Sequence, residues 1–151
     1  MQAAADQVSE TTGGKLDLLL NNAGFVSDLT AFKNLTEFEP DVLEKDLMSS
    51  FHVNVVGVAH TTNAFLPLIR KGEWKKVITI STGMADNDLT NGYGVDMAGP
   101  YAASKAAVNT LVAKYNAAFG KSEGILFLAI SPGAVDTLEG KQFNEEEMAG
   151  L

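Results

Sequence analysis

Tyr101 and Lys105 stand four residues apart in the run Tyr101-Ala102-Ala103-Ser104-Lys105. On a helix that spacing puts a phenol and an ammonium on one face, one turn apart. A lysine cation beside a tyrosine favours the phenolate, which makes the phenol a usable acid or base nearer neutral pH. Such a pair suits proton transfer to or from an alcohol or carbonyl oxygen. Other residues of chemical interest are spread along the chain. Ser81 and Thr82 offer two hydroxyls at the end of the apolar run Val77-Ile78-Thr79-Ile80. Asn54 falls within a long apolar-faced segment, where a polar side chain needs a reason. Exposure on the far face is its ordinary explanation, and a carbonyl that holds a water for proton relay is the functional one. Asn21-Asn22-Ala23-Gly24 and Ser131-Pro132-Gly133 are turn-forming sequences that also permit close backbone approach to a ligand. Taken singly, most of these motifs are better explained as ordinary structure.

The elements that would position these residues follow from periodicity. Residues 3–10 are Ala-rich and predict a helix end, with Gly13-Gly14 as its stop. Leu16-Asp17-Leu18-Leu19-Leu20 predicts a short buried-type strand, and 25–39 a loop with a short helical piece. Pro40 suits a helix's first turn. Leu47, Phe51, Val55, Val58, Thr62, Phe65 and Ile69 then recur at threes and fours, one face of a long helix ending near Lys71-Gly72 and bent or tightened at Pro67. Val77–Ile80 predicts a second strand, and 83–100 a loop rich in Gly, Asp and Asn. A second long helix runs from about Pro100 to Phe119 with Val108, Leu111, Val112, Tyr115 and Phe119 on one side. Ile125–Ile130 predicts the third strand. Strand, helix, strand, helix, strand is the pattern of a parallel α/β sheet with both crossover helices on one face. Ligands bind such sheets beyond the carboxyl ends of the strands, where all the polar and glycine-containing turns gather.

Composition narrows the function classes. The chain has 151 residues, a net charge of −8 and no cysteine. One domain is the default at this length. The acidic balance, without any Lys/Arg block, argues against nucleic acid or an anionic membrane as partner. Absence of cysteine excludes disulfides and thiolate metal sites, and the isolated His52 and His60 make no metal site by themselves. No apolar run reaches transmembrane length and no signal-like N-terminus is present, so a soluble, cytoplasmic protein is the simplest reading.

Together, the ordered motifs resemble the short-chain dehydrogenase/reductase family from about residue 1 to about residue 137. Asn21-Asn22-Ala23-Gly24 resembles the motif after that family's fourth strand, and Asn54, in Asn54-Val55-Val56-Gly57, its catalytic helix asparagine. Ile80-Ser81-Thr82-Gly83 resembles the strand end that carries the catalytic serine, and Tyr101 with Lys105 the catalytic pair. Pro132-Gly133-Ala134-Val135-Asp136-Thr137 matches the nicotinamide loop. The chain departs from the family at the hydroxyl, where alignment favours Thr82 and Ser81 stays a candidate. The loop from Thr82 to Tyr101 is longer than usual, so 86–99 could shape a substrate pocket of its own.

The resemblance implies a partial Rossmann-like fold, three parallel strands with two long crossover helices, truncated at the N-terminus and also at the C-terminus. Residues 1–137 would be the catalytic segment and the acidic 138–151 the start of a substrate-loop region. It implies NAD(P)-dependent hydride transfer between nicotinamide and a small-molecule carbonyl or secondary alcohol, without a metal. Tyr101 would be acid and base. Lys105 would lower its pKa and hold the nicotinamide ribose, Thr82 or Ser81 would bind the substrate oxygen, and Asn54 would anchor a water. Asn22, Ala23, Gly24, Tyr101, Lys105, Pro132, Gly133, Val135 and Thr137 would lie along NADP or NAD. The family's phosphate loop and its NAD-versus-NADP selector have no counterpart in the sequence, so weak or no dinucleotide binding by the chain alone is expected. A homo-oligomer through the two long helices is a further implication.

Overall fold

The computed structural model of the chain describes residues 1–133 and Val135. Thr137 and the acidic tail therefore lie outside the described residues. Helix α1 (Gln2–Thr12) ends at Gly13, whose φ of 65° is the left-handed conformation that glycine adopts without a Cβ penalty. The chain then enters a parallel sheet of three strands, β1 (Leu18–Asn21), β2 (Lys76–Ile80) and β3 (Leu126–Ile130), in the order β1-β2-β3. The register sets Leu19 beside Val77 and Val77 beside Phe127. This is the expected α/β class, with three parallel strands and two long crossover helices.

β1 starts two residues later than its apolar run. Leu16 and Asp17 are tied instead to the turn after the first crossover helix: Leu16 N donates to Leu68 O at 3.1 Å, and Glu73 N to Asp17 Oδ1 at 2.6 Å. That turn passes so close that a Cβ on Gly72 would stand 2.1 Å from Leu16 O, so only glycine fits there.

The first crossover is one continuous helical run: α2 (Pro40–Phe51), a π-helical turn (His52–Gly57) and α3 (Val58–Ile69), with Pro67 accommodated near its end. The second is α5 (Gly99–Tyr115), continued by a π-helical turn (Asn116–Gly120) and the short α6 (Lys121–Glu123). Both lie on the same face of the sheet. Leu66 and Ile69 of α3 and Val112 of α5 form one core with Leu19, Val77, Ile125 and Phe127. The Tyr115 ring stacks on Phe127 at 5.5 Å, and Arg70 pairs with Glu123 through bonds of 2.6 and 2.9 Å.

The strands alternate in burial because the described helices cover one face only, as the shared side of the two crossovers implies. Leu18, Leu20, Leu126 and Leu128 on the other face are 41–51% exposed. The structure corrects the sequence expectation at two other places. The buried stripe of α2 is polar, Asp46 and Ser50, leading to Asn54 in the π turn, one position off the apolar Leu47-Phe51-Val55 series. Asp46 and Asn54 face loops and α5, where hydrogen bonds replace apolar packing, while the Ser50 hydroxyl is buried without a partner among the described residues. Finally, 83–100 is not simply loop. A 3₁₀ turn (Gly83–Ala85) leads to α4 (Asn87–Tyr93), whose first turn is capped by Asp86 accepting from Leu89 N at 2.9 Å. Gly94, at φ 66°, closes it.

Candidate active site

The carboxyl ends of β1, β2 and β3 bring Asn22-Ala23-Gly24, Ser81-Thr82 and Ser131-Pro132-Gly133 to one edge of the sheet, and the first turns of α5 lie over β2 there. Lys105 is 4% exposed, and its Nζ donates to Ile80 O at 2.9 Å. Among the described residues this is its only hydrogen bond, and no carboxylate pairs with it. An ammonium carries three donors, so two stay free for a ligand. Burial pushes the Lys105 ammonium below its ordinary value.

Tyr101, one turn earlier, has its ring centroid 5.6 Å from Lys105 Nζ. Burial raises the phenol above its ordinary value, and the nearby Thr82 hydroxyl opposes that rise. The direction differs from the expectation that the lysine would bring the phenol down. The ammonium sits over the ring and bonds to Ile80 O, so desolvation prevails at the hydroxyl.

The two candidate hydroxyls have different partners. Ser81 Oγ is buried and donates to Asn109 Oδ1 of α5 at 2.7 Å. Thr82 is half-buried, accepts from Met84 N at 3.3 Å and stands by Tyr101. A cavity of about 440 Å³ opens beside Thr82 and Tyr101 and reaches Pro132 and Gly133.

Asn54 is fully buried rather than on a far face. Its Oδ1 accepts from Phe25 N at 2.7 Å, and its Nδ2 donates to Phe25 O at 2.8 Å and to Ser104 Oγ at 2.9 Å. Ser104 in turn donates to Tyr101 O at 2.7 Å. Asn54 thereby clamps the loop after β1 onto α5. Gly24 lies within that clamp: a Cβ there would stand 3.4 Å from Lys105 Nζ and 3.6 Å from Asn54 Oδ1. The glycine leaves that space to a ligand able to accept from the ammonium. Asn22 and Ala23 border an adjacent hollow of about 330 Å³ with His52 and Val53. Val135 is 59% exposed.

Two positioning residues, Ser104 and Asn109, escaped the sequence reading, and a third, Asn21, was read only as part of its turn motif. Ser104 sits inside the Tyr–Lys run itself, and its full burial follows from lying one residue before Lys105 on the packed side of α5. Asn109 lies one turn beyond Lys105, and nothing in the sequence marks it as the partner of Ser81. Asn21, rather than Asn22, is the amide that braces the elements, donating to Thr62 Oγ1 and Thr79 Oγ1, each at 3.3 Å. The strand pattern flags it: Asn21 shares the inner face with Leu19.

The sequence model described as short chain dehydrogenase matches residues 1–148. The chain is 59% identical over 135 residues to short-chain dehydrogenase/reductase AacuF of Aspergillus aculeatus, covering 89% of this chain and 51% of that protein. It is 45% identical over 153 residues to short chain dehydrogenase virK of Hypocrea virens, covering 98% and 56%. Among solved structures it is similar to the NADPH-bound carbonyl reductase from chicken fatty liver, at 26% identity and a TM-score of 0.76, covering 97% of this chain and 57% of that one. The chain spans about half the length of the curated relatives it matches. With the match running almost from end to end and its motifs meeting at one sheet edge, the chain belongs to the short-chain dehydrogenase family.

Proposed function

We propose that the chain is the catalytic segment of an NAD(P)-dependent oxidoreductase that interconverts a carbonyl compound and a secondary alcohol. The observation that carries this reading is the meeting of the Tyr101 phenol and the Thr82 hydroxyl at one cavity, with the buried Lys105 ammonium behind it, 5.6 Å from the Tyr101 ring centroid. Nicotinamide, when bound, supplies or accepts the hydride at the substrate carbon. The residues present fit its sugar end: Lys105 has donors free for ribose hydroxyls, and Gly24 leaves the space in front of them. Asn22, Ala23, Pro132, Gly133 and Val135 are exposed at the same edge and extend the cofactor surface. Thr137, the last residue assigned there, stays a proposal from the motif alone.

Thr82 holds the substrate oxygen. Ser81 is assigned a bracing role, because its hydroxyl is spent on Asn109. In reduction, Tyr101 gives its proton to that oxygen as the carbonyl π bond becomes an O–H bond. In oxidation it takes the proton back. A phenol held above its ordinary value arrives protonated at neutral pH, which suits reduction. The Asn54 amide has spent both hydrogens, so a relay water is held by its backbone carbonyl, within a π-helical turn of the kind found at functional sites. Association through the long helices is supported by Met48, Phe51, Val53 and Val56, all at least 36% exposed on the first of them.

Assay with NADPH and NADH against a ketone panel tests the reading. Tyr101→Phe should abolish turnover and leave the fold intact; a retained rate would remove Tyr101 from its role. A second reading, a non-catalytic partial domain, is supported by the open apolar face of the sheet and by the half-length match. Thermal-shift titration of this chain separates the two. A clear saturable rise with either dinucleotide would overturn the second reading; no stabilisation, with no ketone turned over, would overturn the first.

A further inference from the structure

We infer that the cavity beside Tyr101 takes an uncharged, largely apolar carbonyl compound, and that the segment between β2 and α5 makes this selection. The inference rests on the oxidoreductase reading for the role of Tyr101 and Thr82, but its physical basis is the wall. Met84, Leu89, Val95 and Met97 line the cavity of about 440 Å³ opposite the Thr82 and Tyr101 hydroxyls. Among the described residues, no charged side chain lines it. A substrate there meets the Thr82 and Tyr101 hydroxyls and the uncharged Ser131-Pro132-Gly133 turn, with thioether and aliphatic surface from Met84, Leu89, Val95 and Met97. Sites of this size hold drug-sized ligands through apolar lining and a few placed polar groups.

The wall is built, not incidental. Asp86 caps α4 through Leu89 N at 2.9 Å, and Thr90 Oγ1 returns to Met84 O at 3.3 Å. These bonds hold Leu89 over Gly83, where a Cβ would stand 3.3 Å from Leu89 Cδ1. Leu89 still keeps 36% of its surface exposed, an apolar face turned to an open cavity. Met84, Val95 and Met97 also line a second cavity of about 630 Å³ on the wall's far side. Unbranched methionines repack readily, so the partition between the cavities can yield to a molecule larger than one ring. The far cavity's charged lining residue among the described ones is Asp96, and the whole chain carries −8. Carboxylate or phosphate substrates therefore find no cationic partner in either cavity and meet a repulsive field.

The test needs no cofactor. Cyclohexanone, 2-decalone and pyruvate are titrated into the purified chain by NMR, with the methionine methyl groups as probes. The expected result is that 2-decalone binds at least about tenfold tighter than cyclohexanone because more apolar surface is buried. It shifts the methyl signals of Met84 and Met97, and pyruvate shifts neither. Leu89→Asp, at a part-exposed site outside the proton-transfer machinery, should weaken 2-decalone at least tenfold with unchanged circular dichroism. Equal binding of pyruvate, or undiminished 2-decalone binding by Leu89→Asp, would overturn the inference. Binding as expected without Tyr101-dependent turnover in the complete enzyme would instead remove the oxidoreductase reading and leave the pocket assignment standing.

Discussion

The continuous helical run from Pro40 to Ile69 buries two kinds of side chain. Before Gly57 the buried positions are Asp46, Ser50 and Asn54; after it they are Val58, Thr62, Leu66, Leu68 and Ile69. The second half seats on the sheet and joins a core with Leu19, Val77 and Phe127. The first half holds loops. Thr30 donates to Asp46, and Asn54 clamps Phe25 and Ser104. Apolar packing is non-directional and supplies most of the stability, whereas the hydrogen bonds of the polar half fix where particular atoms stand. The helix is thus an anchor at one end and a positioning device at the other.

The largest expected effect falls on the anchor. Ile69 is fully buried, and Ile69→Ala should cost about 4 kcal/mol by denaturant unfolding, with no change in the Tyr101 titration. A shifted titration would show that the two halves are not separable. Asn54→Ala should cost somewhat less, about 3 kcal/mol, because it strands the Phe25 backbone groups and the Ser104 hydroxyl. Its signature is faster hydrogen exchange at Phe25. Unchanged protection there would dissolve the proposed clamp.

Two smaller effects sharpen the picture at the site. Thr82→Val removes the hydroxyl that opposes the rise in the Tyr101 pKa, so phenolate absorbance should appear at higher pH than in the wild type. Subtraction of Tyr101→Phe isolates that signal, and Ser81→Ala should leave it in place. If Ser81→Ala moved it and Thr82→Val did not, the two hydroxyls would exchange roles. The smallest effect concerns Lys105, whose folded-state pKa lies below its unfolded one. Between those two values the unfolded chain binds more protons, so this group makes stability rise with pH across that window and is neutral outside it. Lys105→Met should lack that rise in unfolding free energies measured up to pH 10.5. An unchanged slope would mean that Lys105 is not the desolvated group.

Much of the fold was legible because hydrophobic runs bounded by glycine mark strands whatever surrounds them. The strands at 18–21, 76–80 and 126–130 fall on the runs identified in the sequence, and of the stripe Val108, Leu111, Val112, Tyr115 and Phe119, Val112, Tyr115 and Phe119 pack in the core and Val108 is fully buried. The apolar series through Leu47 and Phe51 misled, because periodicity reports apolarity and not which side a partner element occupies. α4 carried readable signals, Asp86 as cap and Gly94 as stop, outweighed by the Gly, Asp and Asn content of the segment. Tyr101 and Lys105 were legible as a pair by spacing. Their companions Ser104 and Asn109 were not, since each is defined by a residue some 28 to 50 positions away.

The sequence by itself determined the parallel α/β pattern, the helical spacing of Tyr101 and Lys105, and the gathering of polar turns at one sheet edge. Those follow from local periods and from the handedness of crossovers. Tertiary structure alone decided which of two adjacent hydroxyls meets Tyr101. Both hydroxyls follow β2 and meet α5, Ser81 at Asn109 and Thr82 near Tyr101, and only the placement of α5 gives each its partner. It also decided the direction of the Tyr101 pKa. Burial acts through everything packed around the phenol, and four-residue spacing to a lysine cannot report it.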